Sequence, residues 1–229
     1  MLRRHGTLAT GRQQGLSLVE LMIGIALGLF IMSSAGFVMS NQLADNRRMM
    51  LETQIQQELR GAADLIARDI RRAGFWTNAS RGILLPSGAA PSNPYAGLDA
   101  DRLNAKLEFA YSADPKYEND NLDGNERAGF RLAGDIIQMQ LGSGGVWQPV
   151  TDANLIKITT LDLALNTEVI DLLPYCQNPC PSGTSCTPTQ TVRSITVTLK
   201  GTAAHDPSVS RTLRTTVRLR NDIMTGACP

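Results

Sequence analysis

Residues 15–39 read Gly15-Leu16-Ser17-Leu18-Val19-Glu20 and then LMIGIALGLFIMSSAGFVM. From Leu16 to Met39 the only charged side chain is Glu20. As a helix rising ~1.5 Å per residue the stretch is roughly 36 Å long, enough for the ~30 Å hydrocarbon core of a bilayer. The residues before it carry Arg3, Arg4 and Arg12 and no acid. That asymmetry places the N-terminus in the cytoplasm and the bulk of the chain across the membrane. A lone carboxylate in lipid costs on the order of 2.5–3.5 kcal/mol and marks a functional position by default. Neither a plain anchor nor a signal peptide cut after Ser33-Ser34-Ala35 has a use for Glu20. Lipid attachment is excluded as well, because no cysteine lies near the segment.

Working outward, the helical pattern continues past the apolar run. Between Asn41 and Ala73 there is no proline, and Gly61 is the only glycine. Leu51, Ile55, Leu59, Ala62, Ile66, Ile70 and Ala73 recur at steps of three and four, forming one apolar face. Gly74 ends the pattern. The expectation is one helix of about 58 residues, apolar all round in its first half and amphipathic in its second. Gly24 and Gly28 stand four apart in the apolar half, a spacing that permits close helix approach or local unwinding.

Composition narrows the function classes. The chain has 229 residues, 42% hydrophobic and 19% charged, with a formal net charge of +1. It is therefore foldable and lacks the basic excess of sequence-independent nucleic-acid binders, so no nucleic-acid partner is expected. His5 and His205 are the only histidines, which excludes a His-rich metal centre and most imidazole catalysis. An enzyme is not expected, nor is a cofactor.

Residues 76–105, with Pro86, Pro91 and Pro94, read as a long connecting loop. Strands are expected at Leu107–Ser112, Asp135–Leu141, Gly145–Val150 and Leu155–Leu165, the last with a bend near Asp162. A closing hairpin is expected from Thr191–Leu199 and Thr212–Leu219, joined through Gly201–Ser208. The predicted fold class is α+β: one long N-terminal helix, membrane-spanning in its first half, packed on an antiparallel β-sheet.

Cys176, Cys180 and Cys186 lie in a Cys-rich loop at 174–190, and Cys228 lies in the tail. Their spacings differ from the usual zinc pairs, and the far side of an inner membrane oxidises thiols. Two disulfides are expected, one tying Cys228 to the 176–186 loop, with three connectivities open. Asn119, Asn121 and Asp123, followed by Gly124, partly fit the start of a calcium-binding loop. The twelfth position is Phe130 in place of the bidentate Glu. A solvated turn is the preferred reading, with calcium as the alternative and no other metal site expected.

The segment Gly15-Leu16-Ser17-Leu18-Val19-Glu20, with its apolar run, resembles the class III signal of type IV pilins. Ala67-Arg68-Asp69-Ile70-Arg71-Arg72-Ala73-Gly74-Phe75 and Thr216-Val217-Arg218-Leu219-Arg220-Asn221 resemble the PilW family of minor pilins. The resemblance implies a type IV pilin-like fold and cleavage between Gly15 and Leu16 by a membrane prepilin peptidase. The same enzyme would N-methylate Leu16. It implies a leader at 1–15, a transmembrane half-helix at 16–40, an amphipathic half at 41–75 and a periplasmic globular domain at 76–229. Leu16 stands where phenylalanine is commonest in the family.

Glu20, one turn beyond the new amino terminus, would form a salt bridge with a neighbour's terminal amine during assembly. Removing the leader takes the formal charge from +1 to −2 (1 − 3 arginines). The implied function is a minor pilin that helps start a type IV pilus and sits near its tip. Its implied partners are other minor pilins, the major pilin, the prepilin peptidase/N-methyltransferase, the inner membrane and, as a further candidate, a tip adhesin. It would reside in the inner membrane before assembly and on the pilus afterwards. A J-type pseudopilin of type II secretion, or an adhesive or DNA-uptake minor pilin, stands as the alternative.

Overall fold

The computed structural model describes residues 15, 17–82, 92–114, 116–142, 145–179, 186–226 and 228. The chain divides into two compact units, with the division after Arg48. Helix α1 (Leu18–Ile70) is 53 residues long and supplies the described part of the first unit from Leu18 onward and the opening of the second. In the first unit it is long and apolar enough to cross a membrane, and its most apolar window has no buried side chain. Two hydroxyls of this part are satisfied by the helix itself. Ser34 Oγ donates to Ile31 O at 2.8 Å and Ser40 Oγ to Gly36 O at 2.9 Å. A polar atom bonded in this way enters lipid at reduced cost.

In the second unit α1 turns one face into a core. Ile55, Leu59, Ala62, Ala63, Ile66, Ala67 and Ile70 are buried, at the three- and four-residue spacing the sequence shows. Gly74 ends the helical region with φ +72°, a conformation a side chain would strain, and its N–H donates to Ala110 O at 2.8 Å.

The β-structure forms two antiparallel sheets where one was expected. The first is a five-stranded meander: β1 (Leu98–Asp101), β2 (Lys106–Ala110), β3 (Arg127–Ala133), β4 (Ile136–Leu141) and β5 (Trp147–Pro149), in that order. The second places β6 (Ile156–Asp171), β7 (Thr189–Ala203) and β8 (Ser210–Arg218) side by side. There β9 (Ile223–Thr225) pairs with the start of β7. Leu107, Phe109 and Phe130 from the first sheet share one core with Ile158, Leu161, Leu163, Ile195, Val197, Leu199 and Val217 from the second. The buried face of α1 joins the same core.

Several expectations need correction. The segment read as loop to residue 105 contains β1, whose Leu98–Asp101 pairs with Phe109–Lys106. Strand β3 was not foreseen, because Arg-Ala-Gly-Phe-Arg-Leu-Ala has weak strand propensity. Its glycine has a packing reason. A Cβ on Gly129 would lie 2.6 Å from Leu107 O and 3.2 Å from Gln140 Oε1. The irregularity in β6 is a bulge between Ile158 and Thr160, not a bend near Asp162. The extra residue shifts the inward set from Ile156 and Ile158 to Leu161 and Leu163, keeping all four in the core. Asp162 pairs regularly with Thr198 and is held by a bidentate Arg102, at 2.7 and 2.9 Å. β6 also runs six residues beyond Leu165, and β7 continues to Ala203 into the expected loop.

Candidate functional site

The N-terminal segment is built by helix initiation. Ser17 O accepts from Leu21 N at 3.1 Å, so Glu20 stands in the first turn of α1. The first amides of a helix lack internal acceptors and carry the positive end of its dipole, which favours a carboxylate there. Glu20 and its apolar neighbours Leu18, Val19 and Leu21 are all exposed. Gly15 and Ser17 are described; Leu16, on the expected cleavage bond, lies outside the described residues. The arrangement offers one acid on an otherwise apolar rod, which suits docking in a membrane.

Two polar networks in the second unit were not read from the sequence. One closes the C-terminal end of the helical region. Arg193, on β7 and only 6% exposed, donates from Nη1 to Ala96 O at 2.7 Å and from Nη2 to Asn221 O at 3.3 Å. Asn221 Nδ2 donates to Ala73 O at 3.1 Å, and Asn93 Nδ2 to Gly74 O at 2.8 Å. Burial pulls the Arg193 guanidinium below the usual arginine value, and the Asp222 carboxylate opposes that shift. The two amides satisfy carbonyls of the turn that follows α1, and the cation satisfies Ala96 O and Asn221 O, which holds Asn221 in place.

The other network folds the acidic loop around Tyr95. The fully buried phenol donates to Glu118 Oε1 at 2.7 Å and lies 3.2 Å from Glu126 Oε1. Burial and the two carboxylates hold the Tyr95 hydroxyl well above the ordinary phenol value, so it stays a donor. Burial opposes ionisation of Glu118, but hydrogen bonds from Ser112, Tyr95 and the Asp120 amide outweigh it and lower its pKa. Asp120 is lowered by Asn78 and Trp76 first, with Arg81 adding its charge.

Depressed carboxyl values contribute stability that is full above the unfolded values of about 4 and lost as pH falls through the folded ones. Urea unfolding between neutral and strongly acidic pH should therefore show stability dropping on acidification, and Asp120→Asn should flatten that drop. An unchanged pH profile in Asp120→Asn would contradict this role.

The calcium-loop candidates lie in the same turn. Asn119 Nδ2 donates to Asp123 Oδ2 at 2.9 Å, and Asn121 N to Asn119 Oδ1 at 2.8 Å. Asp123 N donates to Glu126 Oε2 at 2.8 Å in a capping box that starts the one-turn 3-10 segment Gly124–Glu126. Among the described residues, no group of three or more His, Cys, Asp or Glu is arranged to hold a metal ion.

Cys176 and Cys228 form a disulfide across 52 residues of sequence, with their Cα atoms 5.5 Å apart. It ties the tail after β9 to the segment after β6, the two strands that flank the start of β7. Cys186 is also disulfide-bonded, and Cys180 lies outside the described residues. The full-length protein purified without reductant should weigh about 4 Da less than its fully reduced form, one hydrogen per thiol. Alkylation of four thiols without prior reduction would contradict this.

Compared with known families, residues 48–219 match the model of prepilin peptidase-dependent protein B. Residues 10–36 match the model of the prokaryotic N-terminal methylation motif. The second match encloses Gly15, Leu16 and Glu20, and the first encloses α1 from its middle onward, both sheets up to Leu219, and Arg193. No curated protein and no solved structure matches.

Proposed function

Since the chain belongs to the prepilin peptidase-dependent protein B family, and is thus pilin-like with an N-terminal methylation motif, we propose that it is a minor pilin of a type IV pilus. The observation that carries this reading is the motif match at residues 10–36, on a helix with one acid in its first turn and an apolar surface beyond. In this reading the leader 1–15 is removed between Gly15 and Leu16. Leu16 is N-methylated, residues 16–40 hold the subunit in the inner membrane, and the part from 41 onward faces the periplasm. Glycine before the scissile bond gives the peptidase an extended chain without a side chain in the way.

Glu20 then pairs with the terminal amine of a neighbouring subunit, because each charge is costly alone in low dielectric. The subunit enters at low copy with other minor pilins, near the tip, and helps assembly of the major pilin begin. The PilW-like stretches at 67–75 and 216–221 support this placement. In the structure both meet at one spot, where Asn221 bonds Ala73 O.

Mass spectrometry of the membrane-extracted protein should find an N-terminus at N-methyl-Leu16. A terminus at Gly36 would overturn the reading in favour of a general secretory signal. Deleting the gene should reduce surface pili and leave type II secretion intact; the reverse outcome would identify a pseudopilin.

A further inference from the structure

On the face of the first sheet turned away from the core, Asp99, Glu108, Gly129 and Gln140 stand side by side across β1 to β4. Carboxylates set directly opposite repel, so Asp99 against Glu108 costs stability, and only Glu108 has a cation at hand, Lys106 at 2.8 Å. Gly129 leaves a bare place in the row, and its neighbours lean over it. A Cβ there would lie 3.3 Å from Glu108 Cγ and 3.2 Å from Gln140 Oε1.

The row borders a cavity of about 360 Å³, a size that suits a small ligand. Asp99, Glu108, Arg127 and Gln140 are its polar side chains, and Pro94 and Leu122 add apolar surface. Gln140 is 8% exposed, and its Nε2 donates to Gly142 O at 3.0 Å, which fixes the amide. Its Oε1 accepts no hydrogen bond among the described residues, an uncommon state for a side chain so deeply placed. The Asp99 carboxylate and the Arg127 guanidinium, both at exposed positions, likewise have no hydrogen-bond or ion-pair partner among the described residues. Leu122 packs on Trp76, Tyr95 and Ala110, and the Tyr95 hydroxyl lies 3.2 Å from Asn121 O, so the Tyr95 network sets this wall.

We propose that this cavity is a saccharide-binding site, taking a neutral sugar ring. Asp99, Glu108 and Gln140 Oε1 call for donors and Arg127 calls for an acceptor, and a hydroxyl supplies both. A cationic ligand would gain the carboxylates but meet Arg127, and an anionic one would gain Arg127 but meet two carboxylates. An apolar ligand would cover Gln140 Oε1 and leave it without a partner. Pro94 and Leu122 offer apolar surface to the C–H face of the ring. With Asp99 and Arg127 exposed at its rim, the cavity admits a sugar without a change of fold.

The test uses the full-length protein in a detergent without a sugar headgroup, with the methyl glycosides of glucose, galactose, mannose and N-acetylglucosamine as probes. Saturation-transfer NMR should show magnetisation passing from the protein to at least one of them. Asp99→Ala and Arg127→Ala, at exposed positions where folding is safe, should each weaken that binding by at least about tenfold. Gln140→Leu should abolish it, and the two exposed variants carry the test if that protein folds poorly. Glu168→Gln, on the second sheet, should bind as the unaltered protein does. Binding should change little with added salt, since the ligand is uncharged. Retention of the protein on printed oligosaccharides ending in the same sugars marks the end of a longer glycan as the ligand, and binding of the free glycosides alone marks a small sugar. Transfer to none of the glycosides, binding that survives both Asp99→Ala and Arg127→Ala, or a preference for arginine amide over every glycoside would overturn the proposal.

Discussion

Glu20→Gln is expected to be cleaved and methylated normally and to lower surface piliation by at least about tenfold. The amide keeps the size of the side chain, and it stands several residues beyond the Gly15–Leu16 bond. Recognition by the peptidase should therefore survive. Docking should not, because a neutral amide cannot offset a neighbour's terminal ammonium in a medium of low dielectric. Removing one partner of a buried pair costs roughly 3–5 kcal/mol, since the other charge is left without compensation. A loss of even about 1.4 kcal/mol per contact is tenfold in the equilibrium. The measurement is a strain whose native copy is replaced by the variant, blotted for the cleaved form and assayed for pili and for partner pilins that co-purify. Glu20→Asp, which keeps the charge on a shorter stem, should fall between the two. Normal pili with normal co-purification in Glu20→Gln would show that the membrane carboxylate is no docking element.

Arg193→Met is expected to lower the stability of the second unit by roughly 2–4 kcal/mol, one of the larger effects open to the loss of a single buried charge. Methionine reproduces the stem and leaves Ala96 O and Asn221 O without their donors, in a site where Arg193 is 6% exposed. The Asp222 carboxylate, which opposes the desolvation of the guanidinium, loses one of its cations and keeps Arg218, 3.0 Å away. Arg193→Lys restores the charge without the planar fork and should recover part of the loss. Asn221→Ala should destabilise as well, and the double variant should lose less than the sum, because both side chains secure the same turn after α1. Urea unfolding of the full chain in detergent reads these differences. A change below about 0.5 kcal/mol in Arg193→Met would place the residue among ordinary surface positions.

These two residues mark how far the sequence alone reaches. Glu20 is legible because its surroundings are local: one acid inside an unbroken apolar run is anomalous whatever the rest of the chain does. The buried face of α1 is legible for the same reason, since a period near 3.6 needs no knowledge of a partner. Strands β7 and β8 were legible from alternation, as was a link from Cys228 to the 176–186 loop from compartment chemistry.

Arg193 was not legible. It sits in a strand beside polar residues, and nothing within ten positions reveals that Ala96, Asn221 and the turn at Gly74 will close over it. Strand β3 was hidden similarly, because Gly129 is chosen for the approach of Leu107 O and Gln140, not for strand propensity. The bulge at Thr159 and the division into two sheets depend on register, a property of pairs of strands.

The sequence by itself determined the apolar segment with its acid, the helix that continues from it, the α+β class and the oxidised tail. Each follows from periodicity, charge or composition within a short window. Tertiary structure alone decided where the carbonyls after α1 find their donors and how Tyr95 gathers the carboxylates of the acidic loop. Those outcomes rest on contacts between residues from about 20 to almost 150 positions apart, whose pairing free energy appears only once the strands have chosen their register.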